Sequence, residues 1–354
     1  MQSEKIITFY TKYDRMSASV RERFYNYKSI LKKKNYKIEV KPLINDKLFY
    51  SRIIKGKPNY FFFVIQIFKR IIDVIFQKKN VVVIQHELLP YFPSFLESYL
   101  FYRNIPFIID IDDATFHQYD KSNNLLINLF LKKKFINIFT KSNLVFAGNL
   151  YLLKHAKKQG AKKSFIFPTV INVQRKNFIK KKQFTIVWIG SPSTTKYIDD
   201  LKIIIKKLST NCDVNFRIIG SKNCLILPNN KIKFFEWNLK NEDRLIAECH
   251  LGIMPLRNSL WEYGKCGYKL LQYMKHGLPI LASPVGVNKQ ILEHGKNGYF
   301  ARNKSEWIKY ILKLKKNYKL SKKLGRNGQN KILKDFSKNV YENEYYKKIS
   351  EIKL

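Results

Sequence analysis

Short, unbroken apolar runs recur along the chain, each followed by a longer stretch of helical period. In the first half they fall at 5–10, 81–85, 107–110, 144–147 and 164–167. In the second half they fall at 185–189, 215–219, 232–234, 251–254 and 279–282. Strands that are apolar without alternation are covered on both faces, as in parallel sheets between helices. A basic, proline-poor stretch at 175–183 separates the two series. The pattern predicts an α/β protein of two Rossmann-like, doubly wound domains, residues 1–173 and 184–336. Residues 337–354 are predicted as a helix packing back on the first domain. Ligands of such sheets sit beyond the carboxyl ends of the strands. Two domains facing each other would make a cleft there.

The longest apolar stretch, 60–76, is interrupted by Gln66, Lys69, Arg70 and Asp73. A membrane span needs about 20 mostly apolar residues, so an amphipathic helix is predicted instead. It either packs in the core or lies on a bilayer surface. Residues 1–10 read as a first strand, not as a signal peptide.

The chain has 354 residues, 45% of them apolar, enough for two cores. Its 67 Lys and Arg against 26 Asp and Glu give a net charge of +41. Such a balance points to polyanionic partners, namely phosphorylated ligands, an anionic membrane or nucleic acid. The abundance of Lys, Asn, Ile, Phe and Tyr, all with A/T-rich codons, offers a plainer origin for part of that excess. The lysines are spread along the whole chain, which argues against a dedicated nucleic-acid stripe. Cys212, Cys224, Cys249 and Cys266 form no CxxC pair and show no zinc spacing, so free thiols and no metal site are predicted.

Chemistry concentrates in segment 264–277, GKCGYKLLQYMKHG, and in the LPILASPVG that follows it. It reads as a glycine-bounded loop, a short helix, a stop, a strand and another glycine loop. A loop ending at a helix N-terminus offers free amides to an anion. Lys265 and Lys269 share a face if both lie on the first helical turn. The arrangement suits a diphosphate, and so a nucleotide-sugar. Further loops close strands at 13–21 (YDRMSASVR), 85–87 (QHE), 110–113 (DIDD), 148–149, 190–196 (GSPSTTK) and 220–222.

Taken in order, the motifs from 251 to 301, with weaker ones at 13–15, 110–114, 147–151 and 167–171, resemble the glycosyltransferase group 1 proteins, also called family 4. The resemblance implies a GT-B fold and a retaining transfer from a nucleotide-sugar, with no required metal and no cofactor. It places Gly190, Ser191 and Lys196, with Gly264, Lys265, Cys266, Gly267, Tyr268, Lys269 and Gln272, on the donor. The family's two glutamates, seven residues apart, are replaced here by Gly264 and Gln272. Glu262, two residues earlier, is the substitute candidate. Asp112 falls where many relatives carry a histidine near the transferred sugar. Asp112 and Asp113 are therefore candidate cleft carboxylates, with capping of the next helix as the plain alternative. Arg15, Ser17, Ser19 and Arg21 face the acceptor side, and His86 and Glu87 are weaker acceptor candidates.

These readings converge on a glycosyltransferase of surface polysaccharide or glycolipid assembly, with a sugar or lipid-linked acceptor. Its expected place is the cytoplasm or the inner face of the cell membrane. Two rivals stay open at this point. One is a non-enzymatic binder of polyanions. The other is a phosphohydrolase using Asp110 and Asp112 with magnesium.

Overall fold

The computed structural model describes residues 5–51, 56, 60–173, 178–221 and 224–353. Residues 175–177 of the basic stretch and Lys222 of the 220–222 loop lie outside them. The chain divides into two compact units. The first comprises Met1–Thr169, Tyr263–Cys266 and Lys338–Leu354; the second comprises Val170–Glu262 and Gly267–Ser337.

The first unit holds six parallel strands: β1 (Lys5–Tyr13), β2 (Tyr36–Ile44), β3 (Val81–Gln85), β4 (Phe107–Ile111), β5 (Leu144–Ala147) and β6 (Ser164–Ile166). Their order is β2-β1-β3-β4-β5-β6. Val, Ile and Phe fill the three central strands β3, β4 and β5, which are buried from end to end. The helices Tyr60–Ile75, Phe95–Tyr102, Lys134–Lys141 and Leu150–Lys158 share one core through Val74, Leu100, Phe135, Phe139 and Leu152. Arg70 is buried within the first of these helices. Its guanidinium donates to the carbonyls of Thr11 and Lys41 at 2.9 Å and of Leu88 at 3.3 Å. Burial pulls its pKa down to about 10. Elsewhere in this unit Phe9 packs edge-on against Phe24, and Phe146 packs against Phe167. The terminal helix Lys338–Ser350 adds Tyr345, whose ring stacks on Tyr27 at 4.2 Å.

The second unit holds β7 (Thr185–Ile189), β8 (Asn215–Ile219), β9 (Ile232–Phe235), β10 (Leu251–Met254), β11 (Ile280–Ala282) and β12 (Gly298–Phe300). These strands are parallel in the order β12-β11-β10-β7-β8-β9. Chain order reverses between β7 and β10, the switch point at which doubly wound sheets hold ligands.

Both sheets have the predicted doubly wound α/β architecture. Ten strands lie at or within a few residues of the apolar runs. The two unanticipated ones, β2 and β12, are sheet edges. In β2, Lys37, Glu39 and Lys41 alternate with Tyr36, Ile38 and Val40. A search for continuous apolar runs passes over such a half-buried edge, and Pro42 is tolerated there for the same reason.

Candidate functional site

In the second unit the segment 264–277 becomes the helix Tyr268–Lys275. Gly267 precedes it in the left-handed region, at φ +69°. A Cβ there would lie 2.3 Å from Ile291 Cδ1, so only glycine fits. The helix ends in a Schellman turn. The Gly277 amide donates to the Met274 carbonyl at 2.9 Å and the Leu278 amide to the Tyr273 carbonyl at 3.1 Å. Leu270, Leu271, Tyr273 and Met274 bury its inner face. The Tyr273 hydroxyl donates to the Ile253 carbonyl at 3.2 Å and accepts from the Ile189 amide at 3.1 Å. One phenol thus ties the helix to β10 and β7 at the switch point. Gly252 leaves room for that ring, since a Cβ there would be 2.2 Å from Tyr273 Cγ.

The helix starts too late for Lys265 to share its first turn with Lys269. Gly267 breaks the helical path between them, so the predicted common face does not form. Lys269 Nζ lies 4.5 Å from the Trp188 ring centre and 3.5 Å from Thr194 Oγ1. Thr194 in turn accepts from the Ser191 amide at 3.0 Å, closing the Gly190–Ser191 turn after β7. Gly190 and Gly220 face each other there; a Cβ on Gly220 would lie 2.2 Å from the Gly190 oxygen. Gln272 is buried, and among the described residues its side chain makes no hydrogen bond.

Glu262 is also buried and accepts from Tyr197 Oη at 2.5 Å and from Ser259 Oγ. Burial alone would raise its carboxyl, but these bonds hold it below the ordinary range, ionised. Lys196 Nζ stands 5.2 Å from the Tyr197 ring centre. Glu262 and Lys196 are thereby linked through Tyr197, a residue the sequence did not single out.

In the first unit β3 ends in a bend. His86 takes φ +59°, in the left-handed region that few residues other than glycine adopt. Its amide donates to the Asp110 carbonyl at 2.9 Å. Its Nε2 reaches Asp112 Oδ1 at 2.9 Å, and Nδ1 lies 3.2 Å from Thr115 Oγ1. Burial would raise the Asp112 carboxyl, but His86 and Arg23 bring it below its usual value. Asp113 is raised by burial, against the pull of Lys265, whose Nζ is 3.5 Å from its Oδ2.

The short segment Tyr263–Cys266 belongs to this unit by its contacts. Asn149 caps the Leu150–Lys158 helix and donates to the carbonyls of Tyr263 at 3.1 Å and Lys265 at 3.0 Å. Gly264 sits so near Ala114 that a Cβ would lie 2.5 Å from the Ala114 nitrogen. Cys266 fills the space left by Gly148, and burial pushes its thiol up.

Several candidates have partners within the first unit. Asp110 is fully buried and clamped by Arg23, Nε to Oδ1 at 2.5 Å and Nη2 to Oδ2 at 3.1 Å. Burial would lower the Arg23 pKa, but Asp110 raises it. With both oxygens engaged, Asp110 is unsuited to the nucleophile's part in the phosphohydrolase reading. Glu87 is buried too, paired with Lys134 and accepting from Tyr119 Oη at 2.8 Å. Its carboxylate is thus committed within the core. Arg21 donates to the carbonyls of Met16 at 2.8 Å and Arg15 at 3.3 Å, bracing the loop after β1. Ser17 lies 3.2 Å from Ser19, which accepts from Gln85 Nε2 at 2.9 Å. Arg15 stands 5.9 Å from the Tyr25 ring centre. The loops after β1 and β3 thus meet at the switch point of this sheet, between β1 and β3.

Residues 169–331 match the family described as Glycosyl transferases group 1. No curated protein sequence matches the chain. Among solved structures, sucrose-phosphate synthase from Thermosynechococcus elongatus aligns with a TM-score of 0.68 at 10% identity, covering 98% of this chain and 99% of that one. HepE of Anabaena, in complex with UDP, aligns at 0.64 and 12% identity, covering 98% and 100%. The pneumococcal O-GlcNAc transferase GtfA, in complex with UDP and GlcNAc, aligns at 0.57 and 14%, covering 80% and 59%. At these identities the likeness is one of fold. The chain therefore has the GT-B fold, and its residues 169–331 match the group 1 glycosyltransferase family.

Proposed function

We propose that this protein transfers a sugar, with retention, from a nucleotide-diphosphate sugar to a sugar or lipid-linked acceptor in surface polysaccharide or glycolipid assembly. The observation that carries the reading is that the matched segment contains the β7–β10 switch point together with Gly190, Ser191, Lys269 and Gln272. The amides at the start of the Tyr268–Lys275 helix and the Lys269 ammonium suit the diphosphate. The Gln272 amide, buried and without a hydrogen-bond partner among the described residues, suits the ribose hydroxyls, where it accepts a hydrogen bond without the strength of a charge. Lys196 and Glu262 remain donor-side candidates. In the first unit, Arg15, Ser17, Ser19 and His86 are assigned to the acceptor.

In this scheme the bond from the anomeric carbon to the diphosphate breaks and its electron pair goes to the leaving oxygen. Amides and Lys269 meet the charge as it develops, where stronger binding lowers the barrier. The acceptor oxygen bonds to the same carbon and its proton passes to the departing diphosphate. Asp112, held ionised by His86, is a poor proton acceptor. Its proposed task is to orient the acceptor hydroxyl and offset positive charge at the anomeric carbon. Lys265, beside Asp113, is the cation proposed to meet an anionic group on the sugar. The proposed place of the enzyme is the cytoplasm or the inner face of the cell membrane, where a lipid-linked acceptor would lie.

Calorimetry with UDP and GDP tests the donor half. The wild type should bind one of them, and Lys269→Ala should weaken it by roughly 10- to 100-fold, the loss of a charge-assisted bond of about 1.5–3 kcal/mol. Unchanged affinity would remove Lys269 from the site.

A further inference from the structure

The helix Tyr60–Ile75 has two apolar faces and buries only one. Val74 and Arg70 are buried and Phe63, Ile67 and Ile71 pack beside them. On the opposite side Phe61, Ile65, Phe68, Ile72 and Phe76 form a stripe at three- and four-residue spacing, with Phe61 71%, Phe68 62% and Phe76 78% exposed. This helix packs against Phe95–Tyr102, and that one against Lys134–Lys141. All three contribute to one core, so they form a single layer over the sheet. The short helix Leu125–Leu131, which leads into Lys134–Lys141, repeats the feature, with Leu125, Leu126, Leu129 and Phe130 all exposed. Large exposed apolar surfaces of this kind mark interaction sites.

Charge selects the occupant. Between residues 60 and 141 every Asp and Glu is buried or partly buried. The exposed charges there are cations, including Lys69, Lys78, Lys79, Arg103, Lys132 and Lys133. Joining two copies through this face would oppose like charges. An anionic bilayer supplies both an apolar interior for the side chains and a negative surface for the lysines.

We propose that this layer of the first unit is a membrane-docking surface. The apolar stripe of Tyr60–Ile75 and the Leu125–Leu131 helix enter the lipid interface, and the flanking lysines hold anionic headgroups. The inference deepens the membrane placement proposed above and does not depend on the transfer reaction.

The test is vesicle flotation of the full chain, with phosphatidylcholine alone and with phosphatidylglycerol added. The wild type should float with the anionic vesicles and only weakly with the neutral ones. The pairs Phe68→Glu/Ile72→Glu and Leu126→Glu/Leu129→Glu should each lower binding by about tenfold or more, with circular dichroism and thermal midpoint unchanged. A Lys132→Ala/Lys133→Ala pair should make the remaining binding less sensitive to salt. The proposal is overturned if the wild type does not bind, or if both glutamate pairs bind like the wild type. It is also overturned if the wild type sediments as an oligomer that the glutamate pairs dissociate, with no vesicle binding. UDP affinity measured on the same samples reports on the donor reading alone, so the two readings fail separately.

Discussion

His86 leaves β3 at a positive φ and hands its imidazole to Asp112, while Arg23 closes on Asp110 two residues away. Neighbouring aspartates of one tetrapeptide thus receive opposite tasks from partners far along the chain. Replacing Asp112 by Asn should reduce kcat by about 100-fold or more, the scale of losing a preorganised charge, while leaving UDP affinity within about twofold. Normal turnover in steady-state assays of both Asp112→Asn and Asp113→Asn would end the carboxylate role. A second residue-scale expectation concerns Tyr345. Its hydroxyl is buried and has no hydrogen-bond partner among the described residues, as is true of the hydroxyl of Tyr27, on whose ring Tyr345 stacks. Tyr345→Phe should therefore be neutral or stabilising by up to about 1 kcal/mol in urea unfolding, because it removes a polar group already separated from water. A clear loss of stability would mean that the hydroxyl has a partner.

At the scale of elements, the Tyr268–Lys275 helix is placed by glycines as much as by its own apolar face. Gly267 starts it, Gly277 stops it, and Gly252 on β10 admits the Tyr273 ring. Gly252→Ala should push that ring off both of its hydrogen bonds and cost about 1–3 kcal/mol. UDP affinity should fall with it if the switch point is the donor site. Full stability in thermal unfolding would show that the ring has another place to go. The sequence made the helix and its stop legible, because glycine boundaries and apolar spacing are local signals. Its true start was not legible, since the left-handed turn at Gly267 is set by Ile291 and Val287 from a later helix.

At the scale of the molecule, each unit contains a partly buried histidine whose charged form burial disfavours. His155 stacks on Phe116 at 3.7 Å, and burial lowers its pKa to about 4. The His250 Nδ1 accepts from the Thr185 amide at 3.1 Å, and burial lowers its pKa to about 4 as well. Both folded values lie below the unfolded one near 6.5. Their stabilising contribution is therefore complete above pH 6.5 and is lost as pH falls through about 4. The cost of charging each is at most about 2–3 kcal/mol. Thermal midpoints should fall between pH 6.5 and 4, and His155→Phe should flatten that fall for the transition of the first unit. An unchanged slope would show that other groups dominate.

Period and composition were enough to specify two doubly wound sheets, because a strand covered on both faces must be apolar throughout and that requirement is written locally. Ordered motifs likewise carried the resemblance, since Gly190 and Gly277 answer to backbone geometry within a few residues. The edge strand β2 was hidden because polar and apolar residues alternate along it. Partnerships across long spans were hidden for a different reason. Arg23 with Asp110, Lys134 with Glu87 and Asn149 with the Tyr263–Cys266 carbonyls each join residues many positions apart. Nothing in the local pattern distinguishes an aspartate that will be clamped from one that will stay available. Only the packed fold, by bringing the ends of β3, β4 and β5 side by side, gave Asp110 to Arg23, Asp112 to His86 and Asp113 to Lys265.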